Sequence, residues 1–197
     1  QTGATPWGDW SPDGQYMAYC TQRPDKSWTI HIRTLTTGQE RILTDALPYV
    51  RWLRWSLDGH SLLIDEARKG DSQGVISKID GRTGERVNLV QSQTEVLVRP
   101  ELSPDGKTLF YNRCDPGYKD VRLMARDLQS GREKELFRLV PPARLANCSL
   151  SPDGKRFALS MTANPPRSSV PVLMILPAEG GEPRELIRFE KDMRPVG

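Results

Sequence analysis

Four aspartates recur at nearly equal spacing along this 197-residue sequence. Carboxylates of this kind could hold a metal ion or take part in acid-base chemistry. Each follows a serine by two positions, and those serines lie 45, 47 and 48 residues apart. Equivalent positions of a repeat are spread over the molecule, which argues against paired carboxylates. A calcium loop needs several alternating oxygen ligands, and no such phrase occurs. We therefore assign the four to turns that bond backbone: Asp13, Asp58, Asp105 and Asp153.

Nucleophilic catalysis would depend on one of only two histidines, His31 and His60. The first lies in a strand pattern and the second follows a turn, so we interpret both as packed or solvated side chains. No G-x-S-x-G nucleophile elbow is present. Residues 106–108 match the end of a phosphate-binding loop, but Glu101 occupies the position of its first glycine. The sequence therefore predicts no catalytic residue, no metal site and no cofactor.

The composition is that of a globular chain, with 27% charged and 37% hydrophobic residues. Lys and Arg exceed Asp and Glu by 28 to 25, so we expect neither nucleic acid nor an anionic membrane as a partner. No stretch approaches the roughly 18 apolar residues of a membrane helix. The three cysteines are widely spaced and form no C-x-x-C pair: Cys20, Cys114 and Cys148.

Two phrases repeat through the whole chain. A Ser-Pro-Asp-Gly phrase, with Leu57 in place of proline in the second copy, follows Trp10, Trp55, Leu102 and Leu150. A second glycine turn comes 27, 28, 28 and 30 residues after each serine, at Gly38, Gly84, Gly131 and Gly181. Pro presets φ, Asp bonds nearby amides and Gly accepts a positive φ, so each phrase predicts a tight turn between strands. A period in the forties is typical of propellers.

Each period carries four short segments rich in strand-forming residues and none with a long helical pattern. The second to fourth strands of the first period are expected at 15–19, 28–32 and 40–43, after an innermost strand at 6–10. We predict an all-β β-propeller of four-stranded antiparallel blades, with at least twelve strands and no helix longer than about two turns. The four blade repeats cover approximately residues 6–45, 48–91, 97–140 and 145–190.

The repeat consists of W/L-S-P-D-G, an apolar strand, a polar loop, a second apolar strand, T/S-G and a final strand. This order resembles the WD-like "PD" repeat of TolB-type β-propellers. The resemblance covers nearly the whole chain, and residues 41–45 resemble the usual repeat ending. Similar repeats occur in the propellers of prolyl oligopeptidases, tricorn-like proteases and multidomain bacterial regulators. TolB-type propellers generally have six or more blades, so the resemblance implies that these four are part of a larger propeller.

The innermost strands supply the candidate site. We expect the residues before each Ser-Pro-Asp-Gly phrase to be core: Trp10, Trp55, Leu102 and Leu150. Three positions earlier, at the mouth of the central channel, the side chains vary in type: Trp7, Trp52, Arg99 and Asn147. One position before the core residue they vary again: Asp9, Arg54, Glu101 and Ser149. Turns that stay constant while these positions vary predict a partner-binding surface, and Arg54→Glu is expected to disturb binding with stability changed by less than about 0.5 kcal/mol.

Three functions remain open from the sequence. The first is a non-catalytic, TolB-like module that binds a protein or peptide. The second is a propeller that gates a prolyl-oligopeptidase-type catalytic domain outside this chain, and the third is the sensor or scaffold of a bacterial regulator. The resemblance favours the periplasm, with the cytoplasm as the alternative. Flanking sequence would discriminate among the three.

The two end blades pose a packing problem, because apolar blade faces are seldom left exposed. A larger propeller, self-association into a ring of about eight blades, or closure of the four blades on themselves would each cover them. Five residues are expected on the free faces: Trp7, Met17, Tyr19, Met174 and Leu176. Residues 194–197 are interpreted as the start of another innermost strand.

Overall fold

Strand-forming segments between the repeated turns fold into sixteen strands in a computed structural model that describes residues 4–67, 74–163 and 170–189. They form four antiparallel sheets of four strands, each in chain order, which we call blades 1 to 4. The predicted all-β fold is confirmed, and the described residues contain no helix. The strands are β1 (Ala4–Trp10), β2 (Tyr16–Gln22), β3 (Trp28–Thr34), β4 (Glu40–Leu47), β5 (Tyr49–Trp55), β6 (Ser61–Ala67), β7 (Gly74–Asp80), β8 (Arg86–Ser92), β9 (Val96–Leu102), β10 (Thr108–Cys114), β11 (Val121–Asp127), β12 (Glu133–Leu139), β13 (Arg144–Leu150), β14 (Arg156–Ala163), β15 (Val170–Pro177) and β16 (Arg184–Arg188).

The four aspartates lie in the turns between the first two strands of each blade, as predicted. In blade 1 the Ser11 hydroxyl donates to Asp13 at 2.5 Å, and the same carboxylate accepts the Gln15 amide at 3.0 Å. These two hydrogen bonds hold the pKa of Asp13 below its ordinary value. The geometry recurs in the other three blades. Leu57 does not disturb it, since Gly59 still adopts a φ of 71°.

Three of the four hydrophobic clusters of the described residues lie between consecutive blades, and the buried members of the fourth all belong to blade 3. One cluster joins blade 1 to blade 2 and includes Ile30 and Trp55. A second joins blade 2 to blade 3 around Leu63 and Tyr111, and a third joins blade 3 to blade 4 around Phe157. Among the described residues, none of these clusters joins blade 1 to blade 4. The four blades therefore form an arc in which each sheet packs on its neighbour.

Trp10 corrects the expectation that all four residues before the turn phrase are core. Trp55, Leu102 and Leu150 are 3–6% exposed, whereas Trp10 is 59% exposed. The three buried residues face the preceding blade, where they complete the interblade clusters. The corresponding face of blade 1 has no described blade in front of it, so Trp10 meets solvent.

The residues expected on the free face of blade 4 were assigned to the wrong side of β15. Leu176 is fully buried and Met174 packs against the same cluster, so both face blade 3. Successive strand residues point to opposite faces, which leaves the half-buried Leu173 and Ile175 on the outer side. Met17 and Tyr19 are half-buried in β2. The side chain of Trp7 and residues 194–197 lie outside the described residues.

Candidate functional site

The innermost strands of the four blades lie side by side, with β1 against β5, β5 against β9 and β9 against β13. β5, β9 and β13 each carry a register shift close to the predicted mouth position. In β5 the shift falls between Val50 and Trp52, and in β13 it falls between Leu145 and Asn147. A bulge of this kind bends the strand and redirects a side chain. It explains why equivalent residues can converge at one end of the arc.

Three of the predicted mouth residues contact one another across three blades. The guanidinium of Arg99 lies 5.8 Å from the ring centroid of Trp52, which is cation–π distance. Its Nη1 donates to Asn147 Oδ1 at 3.1 Å. We call Trp52, Arg99 and Asn147 the mouth group. The sequence placed these residues at equivalent positions, and the structure brings them together.

The backbone of Arg99 is held in an unusual conformation by a buried carboxylate. Its φ is 57°, a region that non-glycine residues seldom adopt. The Arg99 amide donates to Asp65 Oδ2 at 2.9 Å, and Arg51 Nε lies 3.1 Å from Asp65 Oδ1. Burial raises the pKa of Asp65 to about 6, although the nearby Arg51 opposes the shift. Arg51 also donates to the Leu97 carbonyl at 3.0 Å, which ties blade 2 to blade 3.

Sequence reasoning missed Arg51 and Asp65. The available signal was Asp65 itself, a charged residue in line with the apolar segment 62–64 of β6. A carboxylate inside such a strand must be paired to be buried. Arg51 could not have been found in the same way, because it sits at the register shift of β5, where the face of a side chain does not follow from alternation.

The second set of predicted residues joins the blades. Asp9 Oδ2 accepts the Trp55 amide of blade 2 at 2.8 Å. Glu101 Oε2 accepts the Leu150 amide of blade 4 at 2.8 Å, while Arg54 Nη1 donates to Glu101 Oε1 at 2.5 Å. Ser149 is half-buried in β13. Asp9, Arg54 and Glu101 thus have a structural role that the sequence interpretation did not assign.

The assumption that Arg54 is freely exposed is wrong. The Arg54 side chain is 30% exposed and forms an ion pair with Glu101, a buried residue with 8% of its surface exposed. Burial raises the pKa of Glu101 to about 7 against an ordinary 4.5, and the Arg54 charge opposes that rise. Arg54→Glu would therefore place a second carboxylate beside a buried one. Such a change destabilises the fold by more than the small effect expected of a surface position.

The other chemistry-bearing residues have packing roles. His31 stacks on Tyr19 with ring centroids 5.0 Å apart, and its Nε2 lies 2.9 Å from Thr21 Oγ1. His60 is exposed next to the turn carboxylate of Asp58, which accepts its amide. The three cysteines are buried, and burial raises the pKa of each thiol to about 12. The part of the chain that the structure describes holds no cluster of three or more metal-ligating side chains.

Four consecutive four-stranded blades, in contact through their innermost strands, define a β-propeller fold. Solved structures with this fold include TolB from Acinetobacter baumannii, 21% identical with a TM-score of 0.68, which matches 92% of this chain and 45% of its own. The putative TolB from Agrobacterium tumefaciens is 20% identical with a TM-score of 0.72, and the match covers 95% of this chain and 68% of that one. The chain therefore has a TolB-type propeller fold.

Sequence comparison finds two uncharacterized relatives. A protein of Agrobacterium fabrum is 29% identical over 174 residues, which are 80% of this chain and 58% of the relative. A peptidase of Bacillus subtilis named YuxL is 29% identical over 153 residues, 56% of this chain and 23% of the peptidase. No protein-family model matches. The chain thus spans little more than half of the first relative and about a quarter of the second. Within the described residues no helix is long and apolar enough to cross a membrane.

Proposed function

We propose that the chain is a non-catalytic binding module that presents its channel mouth to a protein or peptide partner. The proposed surface is the mouth group with the neighbouring half-buried Asp9, Arg54 and Ser149, and Trp7 at the equivalent position of blade 1. The buried Glu101 supports this surface by holding Arg54 in place. Binding residues are often found on loops that a rigid scaffold holds in place, and the loops and channel ends of a propeller are held in this way.

Arg99 is the observation that carries this proposal. Arg51 and Arg54 each form an ion pair with a buried carboxylate, whereas Arg99 has no carboxylate partner among the ion pairs of the described residues. It rests instead on Trp52 and Asn147, half-buried and with a positive φ. Arginine and tryptophan side chains are enriched among residues that dominate binding energies. An acidic group of a partner would give Arg99 the direct ion pair that it does not make within the described residues.

A peptide-display experiment tests the proposal. Peptides selected on the 197-residue chain are measured against Arg99→Gln, Trp52→Ala and a control, Arg132→Gln. Arg132 is exposed in the turn after β11, at the opposite end of blade 3. We expect the first two variants to weaken the selected peptides at least about tenfold and the control to bind as the parent does. Failure to enrich any peptide, or equal binding by all three variants, would contradict the proposal, provided that thermal melts show each variant folded.

The similarity to the Bacillus subtilis peptidase favours a second candidate, a propeller that gates a catalytic domain outside this chain. Both functions would use the same channel. The complete reading frame discriminates them, because a gate requires an α/β-hydrolase domain with a nucleophile elbow on the same polypeptide.

A further inference from the structure

A cleft beside the mouth group has the features of a ligand site. It encloses about 700 Å³ between blade 3 and the connection from β12 to β13. Arg99 lines it, so the cleft and the mouth group share one residue. The loop between β10 and β11 also lines it, through Gly117 and Lys119, at the end of the blade where the innermost strands begin. Its volume lies within the range of about 300–1,000 Å³ typical of small-ligand sites.

Asn112 supplies the first specific feature. It is 2% exposed and lines the cleft, and its Oδ1 has no hydrogen-bond partner in the described structure. A buried acceptor without a donor is unfavourable, and native proteins contain few of them. Blade 2 has Asp65 at the equivalent position, where both carboxylate oxygens are used. The Asn112 oxygen is thus available to a donor group on a ligand.

Three cationic side chains line the cleft, and none of them is in direct contact with a carboxylate of the described residues. Arg99, Lys119 and Arg144 line it, and none of them takes part in an ion pair between described residues. The Asp115 carboxylate acts on Lys119 through space, but its oxygens accept the backbone amides of Gly117, Lys119 and Asp120 and contact no cationic group of the cleft. The ligand is therefore expected to carry a negative charge.

The walls between these polar groups are apolar. Val98, Val121 and Leu145 contribute aliphatic side chains, and Pro141 adds a further apolar surface. Cys114 also lines the cleft, and burial raises the pKa of its thiol to about 12, which keeps it neutral. A ligand would bury an apolar side chain here, and its own negative charge and hydrogen-bond donor would lie next to that side chain.

We infer that the cleft binds the C-terminal residue of a peptide that ends in an apolar side chain. The terminal carboxylate meets the three cations, the aliphatic side chain packs on the walls, and a peptide N–H donates to Asn112 Oδ1. This inference rests on the proposed binding function and names a chemical class of partner for the part of the surface beside Arg99.

Fluorescence anisotropy with a labelled octapeptide ending in Ala-Leu tests the inference. The same peptide with a C-terminal amide, and one ending in Ala-Lys, are the controls. We expect the free acid to bind the chain at low salt at least about tenfold more tightly than either control. Binding should weaken as salt is raised, because three cations contribute.

Substitutions of cleft residues test whether the peptide binds in the cleft. Asn112→Leu keeps the side chain close in size, and Lys119→Gln and Arg144→Gln change exposed residues, so all three should fold. Each is expected to weaken the Ala-Leu acid at least about fivefold, whereas Trp52→Ala should affect only peptides selected at the mouth group. No binding by the acid, equal binding by acid and amide, or unchanged binding by any cleft variant that folds overturns the inference. The mouth-group proposal is tested separately, with the peptides selected in the display experiment.

Discussion

At the scale of single residues, three carboxylates join the blades through backbone amides, and two of the three, Asp65 and Glu101, are buried. Asp9 of blade 1 accepts the Trp55 amide of blade 2, Asp65 of blade 2 accepts the Arg99 amide of blade 3, and Glu101 of blade 3 accepts the Leu150 amide of blade 4. Each carboxylate accepts a hydrogen bond from a backbone amide in the innermost strand of the next blade. Arg51 and Arg54, both in β5, supply the charge that makes the two buried carboxylates tolerable.

Replacing Arg54 by methionine should destabilise the fold in a pH-dependent way. Because the pKa of folded Glu101 is about 7 against 4.5 ordinarily, the folded chain binds more protons than the unfolded chain between those values. Stability from Glu101 is present below pH 4.5 and is lost as pH rises through about 7. Removing Arg54 raises that pKa further, so the cost should be about 1–3 kcal/mol at pH 8 and smaller at pH 5.

Urea unfolding at both pH values measures this effect. The double variant Arg54→Met/Glu101→Gln should recover most of the loss at pH 8, since no buried charge then remains unpaired. Asp105→Asn serves as a control, because the Ser103 hydroxyl bond lowers the pKa of Asp105 from 3.8. That group stays ionised from pH 5 to pH 8. A cost for Arg54→Met that is equal at both pH values would show that Glu101 is ionised throughout.

At the scale of elements, the turns were predictable and the bulges were not. The Ser-Pro-Asp-Gly and glycine turns are local, so their residues alone determine where strands begin and end. In blade 1 the starts of β2, β3 and β4 therefore followed from the sequence to within one residue, whereas these strands end two to four residues beyond the expected segments. The register shifts of β5, β9 and β13 depend on contacts between blades, such as Asp65 with Arg99, which lie 34 residues apart. For that reason the mouth group could be placed but the roles of Arg54 and Glu101 could not.

Gly84 shows how a turn residue can also serve the packing between blades. It adopts a φ of 77°, and a Cβ there would lie 2.3 Å from the Leu43 carbonyl oxygen of blade 1. Gly131 occupies the equivalent turn of blade 3 with a φ of 72°, and its nearest neighbour, a flexible Arg126 nitrogen, would be 3.4 Å away. Gly131→Ala should cost about 1 kcal/mol from backbone strain, and Gly84→Ala about 2–4 kcal/mol. Equal costs in urea unfolding would show that blade 1 yields to the added methyl group.

At the scale of the whole molecule, stability comes from interfaces between neighbours. Three of the four described hydrophobic clusters each join two consecutive blades, and the outer face of blade 1 presents Trp10 and Ile42 at 59% and 60% exposure. Repeat architectures of this kind have stabilities close to a sum of unit and nearest-neighbour contributions. The end blades, which have one described neighbour each, should therefore open more easily than the middle blades.

Weakening one interface should consequently release one end of the arc. Phe157 is 1% exposed and meets Phe110 of blade 3 edge-on at 5.1 Å, so Phe157→Ala removes a contact worth about 3–5 kcal/mol. Hydrogen exchange should then accelerate in β13 to β16 while the amides of β1 to β8 keep their protection. Leu62→Ala, at the interface of blades 1 and 2, should instead release β1 to β4. Uniform acceleration over all sixteen strands in either variant would mean that the blades unfold as one cooperative unit, because no end could then open on its own.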